Sequence, residues 1–359
     1  MKVVIEDGLT LKRKGGIGRY SRFLIDGLQQ MGLTPVVPSK PSLAQGRSLN
    51  RAMYLVWLNT FFPLRWSTQG EVVHFTNYVV PCWKPAKIPW VVTIHDLAVW
   101  KIPDTFPSIY VKYLRTAIRK ALEKGDFFIV VSKAVGRELL DTFPFFNEEN
   151  LVHIPNAVHP IFLENWRTPA ERLSIRQGLG LPTDSLVLLY VGTLEARKGL
   201  PTLFRGVSLA RERGLPVYLI LAGNLGYGFQ LPSPTSWWKH IPGPSDATLR
   251  DLYDAADGVV LPSRYEGFGL PIIEAMARGT AVLLSDIPVF REVAGELGIY
   301  FTSEDPEALA ESIEKLATRS KNEAEGVSAL LRTKALEYEP LKVLAKYVSL
   351  YEKVMKRGK

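Results

Sequence analysis

Short runs of β-branched and aromatic residues alternate with segments of helical length, and the alternation occurs twice along this chain. In the first half, Lys2–Glu6, Glu71–Phe75, Trp90–Ile94, Phe127–Val131 and Leu151–Ile154 read as strands. Gly18–Met31 and Ser108–Lys124 read as helices, the latter with Tyr110, Leu114, Ala117, Ile118 and Ala121 as its apolar face. After Leu181 the pattern restarts, with strands at Leu186–Val191, Val217–Ala222, Gly258–Pro262 and Ala281–Ser285. Leu200–Arg213, Leu249–Ala256 and Pro271–Arg278 read as the intervening helices, and Pro306–Leu316, Ser328–Tyr338 and Leu341–Lys356 as later ones. Strands separated by helices pair in parallel, with helices covering both faces of the sheet. Seen twice, the pattern predicts an α/β chain of two doubly wound domains.

Length agrees, because 359 residues exceed one ordinary core and suit two. Asn165–Asp184 is polar and carries Pro169 and Pro182, so the boundary is expected there. With 47% hydrophobic and 22% charged residues, wholesale disorder is excluded. The single cysteine, Cys82, excludes an internal disulfide and any cysteine-based metal cluster. The first ten residues hold a short apolar run broken by Glu6 and Asp7, which does not read as a signal peptide. The longest apolar stretch, between Arg51 and Arg65, is interrupted by Asn59, Thr60 and Pro63 and falls short of the roughly 20 residues of a span. A cytosolic protein is expected.

The net charge of +8 is unevenly placed. Residues 1–165 carry 20 basic against 13 acidic side chains, and residues 166–359 carry 24 against 23. An anionic partner for the first half follows as an expectation, a merely basic surface being the plainer reading. Lys12, Arg13, Lys14, Arg19 and Arg22 cluster near the first loop. Ala52–Leu64 is rich in Trp, Phe, Tyr and Leu and is bracketed by arginines. It admits two readings: a segment lying on an anionic membrane surface, or an ordinary buried helix.

Several strand ends carry candidate chemistry. Gly15, Gly16 and Gly18 precede a helix, where backbone amides can approach a phosphate, although the third glycine of a dinucleotide loop is missing. His95 and Asp96 end a strand, the address at which open parallel sheets bind ligands. Arg197 and Lys198 follow the first strand of the second half and can neutralise a diphosphate, or be a solvated pair. The sharpest segment runs from Pro262 to Ala275. A strand ends there, a loop carries Glu266 and Gly267, Pro271 suits the first turn of a helix, and Glu274 lies one turn inside it.

Glu266 and Glu274, with seven residues between them within EGFGLPIIEAMARGTAV, resemble the Glu-x7-Glu signature of retaining nucleotide-sugar glycosyltransferases of family 4, which have the GT-B fold. GGIGRY, VVTIHDL, FIVVSKAV, HIPNAVHPIF, LYVGTLEARKGL and LILAGN follow in that family's order, so the resemblance covers roughly residues 1–300. TIHDLAVWKIPDTFP further resembles bacterial mannosyl- and rhamnosyltransferases of surface-polysaccharide assembly. The resemblance implies two Rossmann-like domains facing across a cleft: an acceptor-side domain at 1–165, a linker at 166–184, a nucleotide-sugar domain at 185–338, and a helix at 339–359 returning to the first. It implies that Glu274 binds the donor ribose, while Glu266 with Gly267, Phe268, Gly269 and Leu270 holds the sugar end of the donor. Arg197 and Lys198 would clamp the diphosphate with the amides of Gly15 and Gly16, and His95 would lie beside the transferred sugar. Two departures stand out: Thr193 where many members carry Arg, and Ala157 and His159 in place of the usual Gly and Asp.

No cofactor and no metal are expected, since charge on the leaving diphosphate can be met by fixed cations and no Asp-x-Asp is present. The expected partners are a nucleotide-diphosphate sugar and a glycan or lipid-linked acceptor. A sugar-nucleotide epimerase or hydrolase on the same fold is the nearest alternative. A basic nucleic-acid-binding protein is another, although no nucleic-acid motif appears.

Overall fold

Two six-stranded sheets, every strand pairing parallel, organise the chain in the computed structural model, which describes residues 1–8, 15–41, 47–84 and 88–357, without the side chains of Arg47, Ser48 and Lys321. The first comprises β1 (Lys2–Glu6), β2 (Thr34–Val36), β3 (Val72–Phe75), β4 (Trp90–Ile94), β5 (Phe127–Val130) and β6 (Leu151–His153), in the order β2-β1-β3-β4-β5-β6. Its helices are α1 (Gly16–Gln30), α2 (Arg47–Asn59), α3 (Ala98–Lys101), α4 (Ser108–Lys124) and α5 (Lys133–Thr142). The second sheet comprises β7 (Leu186–Val191), β8 (Val217–Ala222), β9 (Trp238–Ile241), β10 (Gly258–Leu261), β11 (Ala281–Ser285) and β12 (Ile299–Phe301), in the order β12-β11-β10-β7-β8-β9. Around it stand α6 (Pro160–Leu163), α7 (Pro169–Gly178), α8 (Leu200–Glu212), α9 (Asp246–Ala255), α10 (Leu270–Ala277), α11 (Pro288–Ala294), α12 (Pro306–Ala317) and α13 (Lys321–Ala335). Helix α14 (Pro340–Arg357) follows.

The chain divides into one unit of Met1–Asn156 with Pro340–Lys359 and another of Ala157–Glu339. This differs from the expected boundary at 165. Arg278, 1% exposed, pairs with Asp254 through Nε and Nη2 at 2.9 and 2.8 Å. It also donates to the carbonyls of Phe162, Glu164 and Asn165 at 3.2, 2.5 and 2.9 Å. A buried guanidinium must satisfy every donor, and doing so ties residues 162–165 to the second unit. The expected linker at 166–184 contains α7, which a Thr168–Glu171 capping box begins and the Arg176–Asp257 pair (2.7 Å) fixes to the same unit. Helix α14 groups with the first unit and buries Val343, Leu344, Tyr347, Leu350, Tyr351 and Val354.

The apolar face of α4 is Val111, Leu114, Ala117, Ile118 and Ala121; Tyr110, one step off the i, i+3, i+7 line, is 36% exposed. The segment around Ala52–Leu64 is buried on one side only. Tyr54, Trp57, Leu58 and Phe62 enter the core, while Val56, Phe61 and Leu64 stay exposed. Lys12, Arg13 and Lys14 lie outside the described residues. Among the described residues no helix is long and apolar enough to cross a membrane.

Candidate active site

In the second sheet, β7 and β10 are neighbours, and the chain winds outward from them in opposite directions. Ligands of open parallel sheets bind beyond the carboxyl ends of such a pair. A 3-10 turn, Ala196–Lys198, follows β7, and the loop carrying Glu266 follows β10. Gly199 makes their approach possible. Its φ is +64°, and a Cβ there would stand 1.9 Å from the Pro262 carbonyl oxygen. The Arg264 amide then donates to the Arg197 carbonyl at 3.0 Å, joining the two loops.

That approach brings together three residues expected to act together. Lys198 Nζ lies 2.5 Å from Glu266 Oε1, and Arg197 Nη1 lies 3.5 Å from Glu266 Oε2. Side-chain exposure is 12% for Lys198, 20% for Arg197 and 14% for Glu266, so the group is largely withdrawn from water. Burial, with Arg197 beside it, pushes the Lys198 ammonium below the usual lysine range, against the pull of Glu266. Burial pushes Glu266 up, but the charges of Lys198 and Arg197 and the hydrogen bonds from Lys198 and Ser263 outweigh it and hold the carboxyl below its usual range. The result is a buried carboxylate bracketed by two cations. A diphosphate arriving here would meet fixed positive charge in a site of low effective dielectric.

Two further groups support this arrangement without having been singled out from the sequence. Ser263 donates to Glu266 Oε1 at 3.0 Å and is itself placed by Ser285, which donates to the Ser263 carbonyl at 2.6 Å. Glu195 Oε1 takes the Nε of Arg197 at 2.6 Å. Ser263 stands inside the strand-end segment already read as chemical, which was its only signal; Glu195 carried none beyond its neighbours.

Helix α10 begins just after Gly269, whose φ of +104° lets the chain turn into it, and Pro271 occupies its first turn. Gly267, Phe268, Gly269 and Leu270 therefore form the turn between Glu266 and the helix, with Phe268 buried. Glu274 lies one turn inside, 2% exposed, and accepts from the Tyr253 hydroxyl at 2.7 Å.

In the first unit, Gly15 caps α1 with no side-chain hydrogen bond, and Gly15 and Gly16 are both exposed. Among the described residues nothing stands within 4 Å of where a Gly15 Cβ would be. His95 follows β4 and is half-buried. Its Nε2 lies 2.7 Å from the Thr76 carbonyl oxygen. A carbonyl only accepts, so Nε2 carries the proton and the neutral ring has its lone pair on Nδ1. Burial pushes His95 below the usual histidine range, against the Thr76 carbonyl and Asp96. The ring of Tyr20 meets it edge to face at 4.8 Å.

Two family models cover most of the chain: Glycosyltransferase Family 4 matches residues 14–161, and Glycosyl transferases group 1 matches residues 171–327. The chain is 30% identical over 258 residues to O-antigen chain mannosyltransferase B of Escherichia coli, covering 69% of this chain and 67% of that protein. It is 31% identical over 215 residues to the Escherichia coli serotype-specific mannosyltransferase WbdA, but spans only 25% of that longer protein. Its fold matches WaaG, a glycosyltransferase involved in lipopolysaccharide biosynthesis, with a TM-score of 0.75 at 16% identity over 98% of this chain and 99% of that one. It also matches Anabaena HepE in complex with UDP-glucose, with a TM-score of 0.74 at 18% identity over 98% of this chain and all of that one. With both halves matched by glycosyltransferase families and the whole chain sharing its fold with solved glycosyltransferases, this protein belongs to the family 4 glycosyltransferases of GT-B fold.

Proposed function

We propose that the protein transfers a hexose, with mannose favoured, from a nucleotide-diphosphate sugar to a glycan or lipid-linked acceptor in polysaccharide or glycolipid synthesis. Transfer retains the anomeric configuration and needs no metal. The observation that carries this reading is the buried Lys198–Glu266–Arg197 cluster at the carboxyl ends of β7 and β10. Breaking the bond between the sugar C1 and the phosphate oxygen places charge on the departing diphosphate. Lys198 and Arg197 supply fixed compensating charge for it, the role a metal ion would otherwise take. As they turn to the diphosphate, Glu266 is released to accept hydrogen bonds from the sugar. Glu274 takes the ribose hydroxyls, the amides of Gly15 and Gly16 add to the diphosphate contacts, and neutral His95 accepts a sugar hydroxyl through Nδ1. The acceptor oxygen forms the new bond to C1, and its proton passes to the departing phosphate oxygen. The preference for mannose rests on the names of the two Escherichia coli relatives.

The test is a panel of GDP-, UDP-, ADP- and dTDP-sugars incubated with glycan and lipid-linked acceptors in the presence of EDTA. Product linkage is then read by NMR. Transfer with the donor's anomeric configuration is expected, with GDP-mannose the best donor. Donor consumption that is indifferent to acceptor would favour the hydrolase or epimerase reading. Activity abolished by EDTA and restored by magnesium or manganese would overturn the metal-free scheme.

A further inference from the structure

Strands β7, β8 and β9 lie side by side and run parallel, so the chain enters all three at one end of the second sheet. At those entries stands a cavity of about 470 Å³, within the range of about 300–1,000 Å³ typical of small-ligand sites. Ser185 lines it just before β7, Pro216 just before β8, and Ser236 and Trp237 just before β9. Tyr218 of β8 and Arg211 from the last turn of α8 complete its polar lining. The Lys198–Glu266 cluster stands beyond the opposite, carboxyl ends of the sheet. Strands β7 and β8 have 6 residues each and separate the two ends by about 20 Å, so the cavity is no part of the donor site.

The lining is aromatic and hydroxyl-bearing. Trp237 is half-buried and meets Phe204 edge to face at 6.2 Å. The Arg211 guanidinium stands 5.8 Å from the centre of the Trp237 ring, and its Nη1 donates to the Val217 carbonyl at 2.6 Å. That bond holds the guanidinium beside the indole and leaves the rest of its fork of donors unspent. Among the described residues, neither the Trp237 Nε1–H nor the hydroxyls of Ser185, Tyr218 and Ser236 have a hydrogen-bond partner. Arg211 is the only charged side chain among the described lining residues.

These groups select among ligands. A phosphate or other anion would find one cation, already engaged with a carbonyl, where the Lys198 site offers two. A purely apolar ligand would leave the guanidinium, the indole N–H and three hydroxyls unmatched. A sugar satisfies both sides, with C–H faces to lie on the indole and hydroxyls to meet the donors around it. We propose that this cavity is a second carbohydrate site, which holds a stretch of neutral glycan at the far end of the sheet from the transfer chemistry. That the glycan is the enzyme's own acceptor or product rests on the transfer reading given above. Only a chain of several sugars can span the distance between the two ends, so the site acts on long acceptors and is indifferent to short ones.

Calorimetric titration of the full chain, without donor, against hexasaccharides of mannose, glucose and galactose tests the site. At least one should bind, and Trp237→Ala should weaken that binding by about tenfold or more. Ser236→Trp fills the cavity from an exposed position without removing a described hydrogen bond. It should weaken binding as much while the thermal midpoint stays at its wild-type value, which separates a blocked site from a lost fold. Lys198→Ala should bind the oligosaccharide like the wild type. In transfer assays, both cavity variants should raise KM for a long acceptor by about tenfold. They should leave kcat, and KM for a monosaccharide acceptor, unchanged. No binding of any hexasaccharide to the wild type, binding that persists in both variants, or KM raised equally for short and long acceptors would overturn the proposal. Binding that Ser236→Trp abolishes, in a protein that transfers to no acceptor, would support the site and overturn the transfer reading instead.

Discussion

Lys198 and Glu266 are 68 positions apart in sequence and 2.5 Å apart in space. Each favours the charged form of the other in a largely buried setting. Lys198→Ala would remove the nearer of two cations from Glu266 while leaving Arg197 at 3.5 Å. The remaining carboxylate keeps a partner, so the stability loss should be modest. A cation facing a departing diphosphate meets charge that grows as the bond breaks, and loss of one such group costs about a hundredfold or more in turnover. We therefore expect kcat to fall by about a hundredfold in Lys198→Ala with only a small change in thermal midpoint. Wild-type turnover in a folded variant would move Lys198 into a structural role. Of this cluster, sequence reading supplied Arg197, Lys198 and Glu266 as candidates, but not their pairing.

At the scale of elements, α14 is held to β3 and β4 by polar contacts inside an apolar core. His74 is fully buried, with Nδ1 2.6 Å from the Tyr351 hydroxyl and Nε2 2.8 Å from the Thr93 hydroxyl. Thr93 also meets the Tyr20 hydroxyl at 2.7 Å, and Tyr347 donates to Tyr20 at 3.0 Å. Burial, with a smaller contribution from His95, pushes His74 from 6.5 down to about 3. Its folded value lies below its unfolded one. The native state thus stays neutral while the unfolded chain gains a proton, and stability is intact above pH 6.5 but lost as pH falls toward 3. The slope is at most about 1.4 kcal/mol per pH unit. Urea unfolding at pH 7 and pH 5 should show a loss of about 2 kcal/mol from this group, and His74→Gln should flatten that difference. A variant with the wild-type pH dependence would place the titration elsewhere.

The element scale also shows where pattern reading stops. Strands β1, β4, β7, β8 and β11 and helix α4 have the bounds read from the sequence, because each is a run long enough to display its period. Strands β2, β9 and β12 were not foreseen. They are three- or four-residue strands at sheet edges, and Pro35 and Lys239 interrupt any apolar run in two of them. What makes them strands is the hydrogen-bonding edge of a neighbour, which no local pattern contains.

For the whole molecule, the chain leaves its first unit at Asn156 and returns to it at Pro340. Six apolar side chains of α14 are buried there. At about 1.5–3 kcal/mol each, their burial is on the order of 10 kcal/mol, comparable to the entire stability of a domain. A chain ending at Glu339 should therefore lose hydrogen-exchange protection in β1, β3 and β4 while β7, β8 and β10 keep theirs. Full protection in both sheets would show that the helix is dispensable.

The sequence by itself determined the two parallel α/β units, the strand ends that carry the candidate chemistry, and the family. These follow from the local period of apolar residues and from residue types at fixed short spacing, both of which are written along the chain. Only the tertiary structure decided that Gly199 packs on the Pro262 carbonyl so that Lys198 meets Glu266, and that Arg278 binds residues 162–165 into the second unit. It alone also decided which side of α2 is left apolar and uncovered. Each of these depends on groups far apart in sequence competing for the same space, hydrogen bonds and removal from water, and that competition is settled only when the chain is folded.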